Sequence, residues 1–207
     1  MPLIETPAEI LALVAVLSYL LGTVPFGIVI SRLFGLADPR TVGSGNIGTT
    51  NVLRSGNKTA AALTLVLDSA KGGIAVIIAR LLVGEDAAQL AAISAFLGHL
   101  YPVWLGFKGG KGVATFLGTV LALSPLVGAI ACATWLLVFA LFRISSLGGI
   151  TAPAIAPLAA LALGQADKAI VLALMAAFVW KRHRDNIVRL IAGTEPKVGQ
   201  KKPEDSE

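Results

Sequence analysis

The chain has 207 residues, 56% hydrophobic and 14% charged, with a mean hydropathy of +0.81. That charge content is far below the roughly 25% of a soluble domain. The composition excludes a water-soluble globular enzyme, and the recurrence of apolar runs of spanning length points to an all-α polytopic membrane protein. The net charge of +5 does not signal nucleic acid, because the basic residues lie in the loops that flank those runs. The single cysteine, Cys132, sits inside an apolar run and says nothing about redox compartment.

In chain order, the N-terminus lacks a basic n-region, so the first apolar run, Ala8 to about Ser31, is expected to be a membrane span rather than a signal peptide. It carries Gly22 and Pro25, which bundles tolerate within membrane helices. Arg32 to Lys58 is a polar connection containing Gly43-Ser44-Gly45-Asn46-Ile47-Gly48-Thr49-Thr50-Asn51-Val52-Leu53-Arg54. Thr59 to Val83 is the second span, interrupted by Asp68 and Lys71, and Glu85-Asp86 makes an acidic turn. Ala87 to Gly106 is the third, leading into Phe107-Lys108-Gly109-Gly110-Lys111-Gly112-Val113.

The next apolar stretch, Val113 to Phe142, would run roughly 45 Å as one helix, too long for a hydrocarbon core of roughly 30 Å. Ser124-Pro125 divides it into a short fourth segment, Val113 to Leu123, and a fifth, Leu126 to Phe142. Leu147 to Leu163 is the sixth, with Pro153 and Pro157, and Ala169 to Trp180 opens the seventh. With seven segments, fourteen of the 17 Lys and Arg residues fall on one side of the membrane. The positive-inside rule makes that side cytoplasmic, with the N-terminus outside and the C-terminus inside. The expected organisation is one integral-membrane domain over residues 1–195 and a solvated tail over 196–207.

This topology gathers three polar stretches on one face: Gly43–Arg54, Lys108–Gly112 and Lys181–Arg189. Glycines without Cβ let backbone N–H groups converge on an anion, and a helix starting near Val113 points its positive end at the same place. The loop is not a Walker A motif, since no Ser or Thr follows Lys111 directly. The plainer readings are a basic turn anchoring a hairpin, caps and turns for Ser44, Asn46, Thr49, Thr50 and Asn51, and lipid-headgroup contact for Lys181-Arg182-His183-Arg184. His183, Asn186 and Arg189 share one helical face. Asp68 and Lys71, an i,i+3 pair within a span, are either functional or a structural salt bridge. His99 reads as a hydrogen-bonded packing residue. The two histidines have no partners at metal-ligand spacing.

Taken together, Gly43–Arg54, Gly98-His99-Leu100-Tyr101-Pro102 running into Phe107–Thr115, and Arg182-His183-Arg184-Asp185-Asn186-Ile187 followed by Gly193–Lys197 resemble the three signatures of the bacterial acyl-phosphate-dependent glycerol-3-phosphate acyltransferases. Asp68, Lys71, Gly72 and Ser145-Ser146-Leu147 fit the same family. The resemblance implies an inner-membrane enzyme that moves an acyl group from acyl phosphate to the 1-hydroxyl of glycerol 3-phosphate, giving lysophosphatidic acid and phosphate. It implies no cofactor, no metal and no covalent acyl-enzyme. Its expected partners are the two substrates and the bilayer, together with the enzyme that makes acyl phosphate.

On that reading the candidate catalytic residues are Ser44, His183 and Asn186. Arg54, Lys108, Gly109, Gly110, Lys111, Gly112 and Ser146 are candidates for binding substrate phosphate. Asn46, Thr49 and Asn51 are candidates for orienting substrate, and Asp68, Lys71 and Arg143 are further candidates. Ser44 has no adjacent base and reads as an orienting hydroxyl. Either His183 or a substrate phosphate receives the proton of the attacking hydroxyl. The alternative class is a small transporter for phosphate-bearing solutes, which needs its site near the midplane and open to both sides.

Overall fold

The computed structural model describes residues 4–199; Lys201, Lys202 and the end of the expected tail lie outside them. Among the described residues the regular structure is entirely helical. The helices are α1 (Ala8–Gly22), α2 (Phe26–Leu33), α3 (Thr49–Leu53), α4 (Lys58–Leu82), α5 (Glu85–Leu100), α6 (Val113–Leu123), α7 (Pro125–Phe142), α8 (Ser145–Ala162), α9 (Ala166–Arg182) and α10 (Arg184–Ile191). One 3-10 turn, Val103–Leu105, follows α5.

Five stretches are long and apolar enough to cross a membrane: Ala8–Leu33, Lys58–Leu82, Glu85–Leu105, Pro125–Phe142 and Ser145–Ala162. Two of the seven expected segments fall short of that length. The fourth, α6, has 11 residues, and the seventh, α9, has 17. The first span is two helices, because Pro25 has no N–H to continue the ladder and the chain breaks at Thr23-Val24-Pro25. The division at Ser124-Pro125 is where it was expected, with Pro125 in the first turn of α7, where a missing N–H costs nothing.

Small residues let the helix backbones approach closely, which is how helices associate where lipid supplies no hydrophobic drive. A Cβ on Gly22 would sit 2.0 Å from the Ala95 carbonyl oxygen, joining α1 to α5. A Cβ on Gly118 would sit 2.1 Å from the Ser69 oxygen, joining α6 to α4. The central core is Phe96, Leu100, Phe116, Val120, Leu172, Met175 and Val179, with Phe96 and Phe116 edge to face at 6.4 Å.

Charged groups mark one end of the bundle. Asp86 accepts from the backbone N–H groups of Glu5 and Thr6. Arg80 pairs with Glu85 at 2.7 Å and donates to the carbonyl of Leu123. Lys168 reaches Glu85 and Asp167. The N-terminal end, the α4–α5 turn, the end of α6 and the α8–α9 turn therefore lie together.

Depth at the other end is set by Lys71, which stands 13 residues along α4, about 20 Å from its start. His99, one residue before the end of α5, bonds to it. The loop after α5 consequently lies beside the middle of α4, with α2 and the first half of α4 rising past it. From that level α6 needs only its 11 residues, about 16 Å, to reach the level of Arg80.

Candidate active site

The Gly43–Arg54 stretch is organised by Asn51, on the short helix α3. Its carbonyl oxygen accepts from the Ser44 N–H at 3.0 Å, and its amide donates to the carbonyls of Pro39 and Val42 at 2.7 and 3.1 Å. Asn51 is 2% exposed. It was expected to orient substrate, but every polar atom of its side chain is spent holding the loop. The loop in turn leaves Ser44 exposed, with Arg54 packed beside Gly43. Gly43 has φ +58°, and a Cβ there would meet the Asn51 oxygen at 2.3 Å. Thr49 Oγ1 is buried and unpartnered among the described residues, and Asn46 is half-buried.

The glycine-lysine loop differs from the expected nest of amides. The N–H of Gly109 donates to the Leu100 carbonyl at 3.1 Å and that of Gly110 to the His99 carbonyl at 3.2 Å. Neither is left for an anion. The carbonyls of the same two glycines accept from Arg182, Nη2 to Gly109 at 2.6 Å and Nε to Gly110 at 3.1 Å. The Arg182 guanidinium also lies 5.7 Å from the Tyr101 ring. Arg182 thus clamps the loop through Nε and Nη2. Gly112, with φ +85°, caps α6, and Lys108 is exposed without an ion-pair partner among the described residues.

The three polar stretches meet through hydrogen bonds linked at one point by the Ser145-Ser146 backbone. Thr50 Oγ1 lies 2.9 Å from Ser145 Oγ, at the start of α8. The next residue, Ser146, donates to Glu195 Oε1 at 2.6 Å. That oxygen also accepts from Asn186 Nδ2, and Asn186 Oδ1 accepts from Lys111 Nζ at 2.5 Å. Arg189 closes the cluster on Glu195 Oε2 at 2.7 Å. Glu195 is its hub and was not among the expected site residues. The only signal for it was its place in Gly193–Lys197, where the expected domain ended. Burial works against the Glu195 charge, but the bonds from Ser146, Asn186 and Arg189 outweigh it and hold the carboxyl below its ordinary range. Burial pushes Lys111 below the ordinary lysine range, with Glu195 opposing.

His183 caps α9, 2% exposed, with Nδ1 2.8 Å from the Val179 carbonyl. A carbonyl only accepts, so Nδ1 carries the proton and Nε2 keeps its lone pair. Burial holds the imidazole at a pKa of about 4, with Lys111 and Arg182 adding to the shift. Its Nε2 lies 3.2 Å from where a Cβ on Gly149 would sit, so the absence of a side chain there gives the ring room. Arg143 is exposed, and its carbonyl accepts from the Val198 N–H at 2.8 Å. Asp68 and Lys71 lie outside the cluster, paired at 2.8 Å inside the bundle.

Residues 12–193 match the family model described as glycerol-3-phosphate acyltransferase. The chain belongs to the glycerol-3-phosphate acyltransferase family. Among its relatives of that name, the protein of Jannaschia sp. (strain CCS1) is 61% identical over 96% of this chain and 98% of its own. That of Cereibacter sphaeroides (strain ATCC 17025) is 58% identical over 99% and 98%. The fold is similar to the crystal structure of PlsY (YgiH), an integral membrane glycerol 3-phosphate acyltransferase, in its glycerol 3-phosphate form. That match has TM-score 0.86 and 41% identity over 91% of this chain and 96% of that one. The lysophosphatidic acid form of the same protein matches with TM-score 0.85 and 40% identity. The acyltransferase is therefore an integral membrane enzyme, and the transporter alternative falls away.

Proposed function

We propose that this acyltransferase takes its acyl group from acyl phosphate and delivers it to the 1-hydroxyl of glycerol 3-phosphate, without a covalent acyl-enzyme. The observation that carries the reading is the linked run from Thr50 to Lys111, which gathers a lysine and an arginine into one cluster, with the buried His183 close enough to feel the charges of Lys111 and Glu195. Both substrates are phosphate-bearing and the leaving group is phosphate, so the site must hold concentrated negative charge. Lys108, Lys111 and Arg54 supply cations, and Ser146 and Asn186 supply neutral donors. PlsY, described with glycerol 3-phosphate and with lysophosphatidic acid, supports the acceptor and the product.

The hydroxyl oxygen attacks the acyl carbonyl carbon, the bond from that carbon to the phosphate oxygen breaks, and phosphate leaves. His183 Nε2 accepts a hydrogen bond from the attacking hydroxyl and orients it. A group with a pKa of about 4 keeps a proton less readily than a phosphate dianion, whose second pKa is about 6. The proton therefore ends on the phosphate, and His183 aims the nucleophile. Acyl phosphate is already activated, so positioning and charge neutralisation are enough to lower the barrier; orientation alone reaches roughly 7–11 kcal/mol.

The site faces the cytoplasm across a bacterial inner membrane, with seven crossings and the N-terminus outside, as the gathering of basic residues at the site end supports. The test is purified protein in detergent with glycerol 3-phosphate and, in parallel, acyl phosphate, acyl-CoA and acyl carrier protein. Lysophosphatidic acid and phosphate form from acyl phosphate alone. Product from either thioester in its absence overturns the donor assignment.

A further inference from the structure

Within the bundle, Lys71 Nζ faces three acceptors: Asp68 Oδ1 at 2.8 Å, the Val24 carbonyl at 2.8 Å and His99 Nδ1 at 2.9 Å. The side chains of Lys71, Asp68 and His99 are between 1% and 4% exposed. An ammonium can only donate, so in its hydrogen bond with Lys71 Nζ the His99 Nδ1 accepts and the ring proton sits on Nε2, while Asp68 holds the ammonium as an ion pair. That fixes the ring, and its far edge lies against the glycine loop. A Cβ on Gly110 would be 2.2 Å from His99 Nε2, 2.9 Å from Cε1 and 3.2 Å from Cδ2; its nearest three neighbours are all atoms of this one ring. The φ of Gly110 lies outside the left-handed region, so the backbone itself accepts a side chain there. The His99 carbonyl also takes the Gly110 N–H.

We propose that His99 is a positioning residue for the glycine-lysine loop. Its imidazole, locked by Asp68 and Lys71, is the wall against which Gly110 rests, and so sets where Lys108 and Lys111 stand. A cluster that the acyl-transfer chemistry never touches then governs affinity for glycerol 3-phosphate. This rests on the reading that the loop holds substrate phosphate. It also assigns Gly110 a different reason for being glycine: it makes room for a ring, not for a phosphate.

The test compares His99→Asn, His99→Ala, Gly110→Ala, the His99→Ala/Gly110→Ala double variant and Lys111→Ala, each checked by thermal unfolding and size-exclusion in detergent. Asparagine puts an acceptor where Nδ1 stands, preserving the Lys71 contact, and removes the edge against Gly110. His99→Asn raises KM for glycerol 3-phosphate roughly 10-fold with kcat changed far less, since small misplacements of a binding group are costly. Gly110→Ala alone is crippled, and the double variant returns to the level of His99→Ala. A wild-type KM in folded His99→Asn overturns the proposal. So does a double variant whose losses simply multiply. If Lys111→Ala keeps wild-type KM and kcat, the phosphate reading of the loop fails instead; if it is crippled while the His99 series behaves as wild type, only the present inference fails.

Discussion

Lys111 Nζ donates to Asn186 Oδ1 at 2.5 Å, across 75 residues of sequence. The bond ties the second polar stretch to the third, and Asn186 hands the connection on to Glu195. A half-buried ammonium bonded to a neutral amide keeps its charge for another anion. Lys111→Ala is therefore expected to lower kcat/KM for acyl transfer by roughly 10²–10³, the size seen when one preorganised donor is removed. Steady-state kinetics over both substrates measure it, and a loss below a few-fold contradicts the role.

His183 gives a pH prediction. Its imidazole is held at a pKa of about 4, well below the ordinary 6.5. It stays neutral, with Nε2 free to accept, until pH falls through about 4. The pH dependence of kcat/KM should therefore carry no step near 6.5 from this residue. Stability has the matching sign: the unfolded chain binds the proton first, so the contribution of His183 is complete above about 6.5 and declines as pH falls toward 4. A step near 6.5 that vanishes in His183→Gln would show a charged, exposed imidazole instead.

Arg182 donates to two consecutive carbonyls, a geometry that needs the planar fork of a guanidinium. Both Arg182→Ala and Arg182→Lys should raise KM for glycerol 3-phosphate, lysine by less, on the order of 10-fold for alanine. The assay is run in vesicles with and without anionic lipid. A defect repaired by anionic lipid would place Arg182 in the lipid-headgroup role instead.

Glu195 accepts from Ser146, Asn186 and Arg189, and its side chain is 6% exposed. Removing the acceptor leaves buried donors unpaired, at about 1–3 kcal/mol each. Glu195→Ala should lower the unfolding temperature and activity together, whereas Glu195→Gln keeps an acceptor for Ser146 and Asn186 and loses the ion pair to Arg189. Equal unfolding temperatures for wild type and Glu195→Ala would mean the hub carries no stability. Since its pKa is lowered, the Glu195 contribution is present above the ordinary carboxyl range and is lost as pH falls through the folded value.

Orientation is checked by single-cysteine labelling in a Cys132→Ala background. Position 85 should react with an impermeant reagent in intact cells, as should position 6, because Thr6 and Asp86 share one end of the bundle. Position 109 should react only after permeabilisation. The reverse pattern inverts the topology.

What the sequence determined by itself was local. Pro125 ended one helix and began another because a missing N–H is a property of one residue. Gly112 stood before α6 because the chain there needs φ +85°. The apolar runs declared a membrane bundle through length and composition alone. The three signatures gave the family, and the meeting of Asn186 and Arg189 on Glu195 followed from their i,i+3 spacing on α10, whereas His183 stands at the break between α9 and α10. What the tertiary structure decided was the use of each polar atom. Asn51 turned inward to its own loop. Gly109 and Gly110 gave their amides to the end of α5, and Arg182 turned to their carbonyls. Glu195 gathered donors from α8 and α10, and His99 met Lys71 from a neighbouring helix. A backbone preference is settled within a turn of chain, but a buried donor takes whichever acceptor packing brings within 3 Å. Here packing brought partners from as far as 95 residues away.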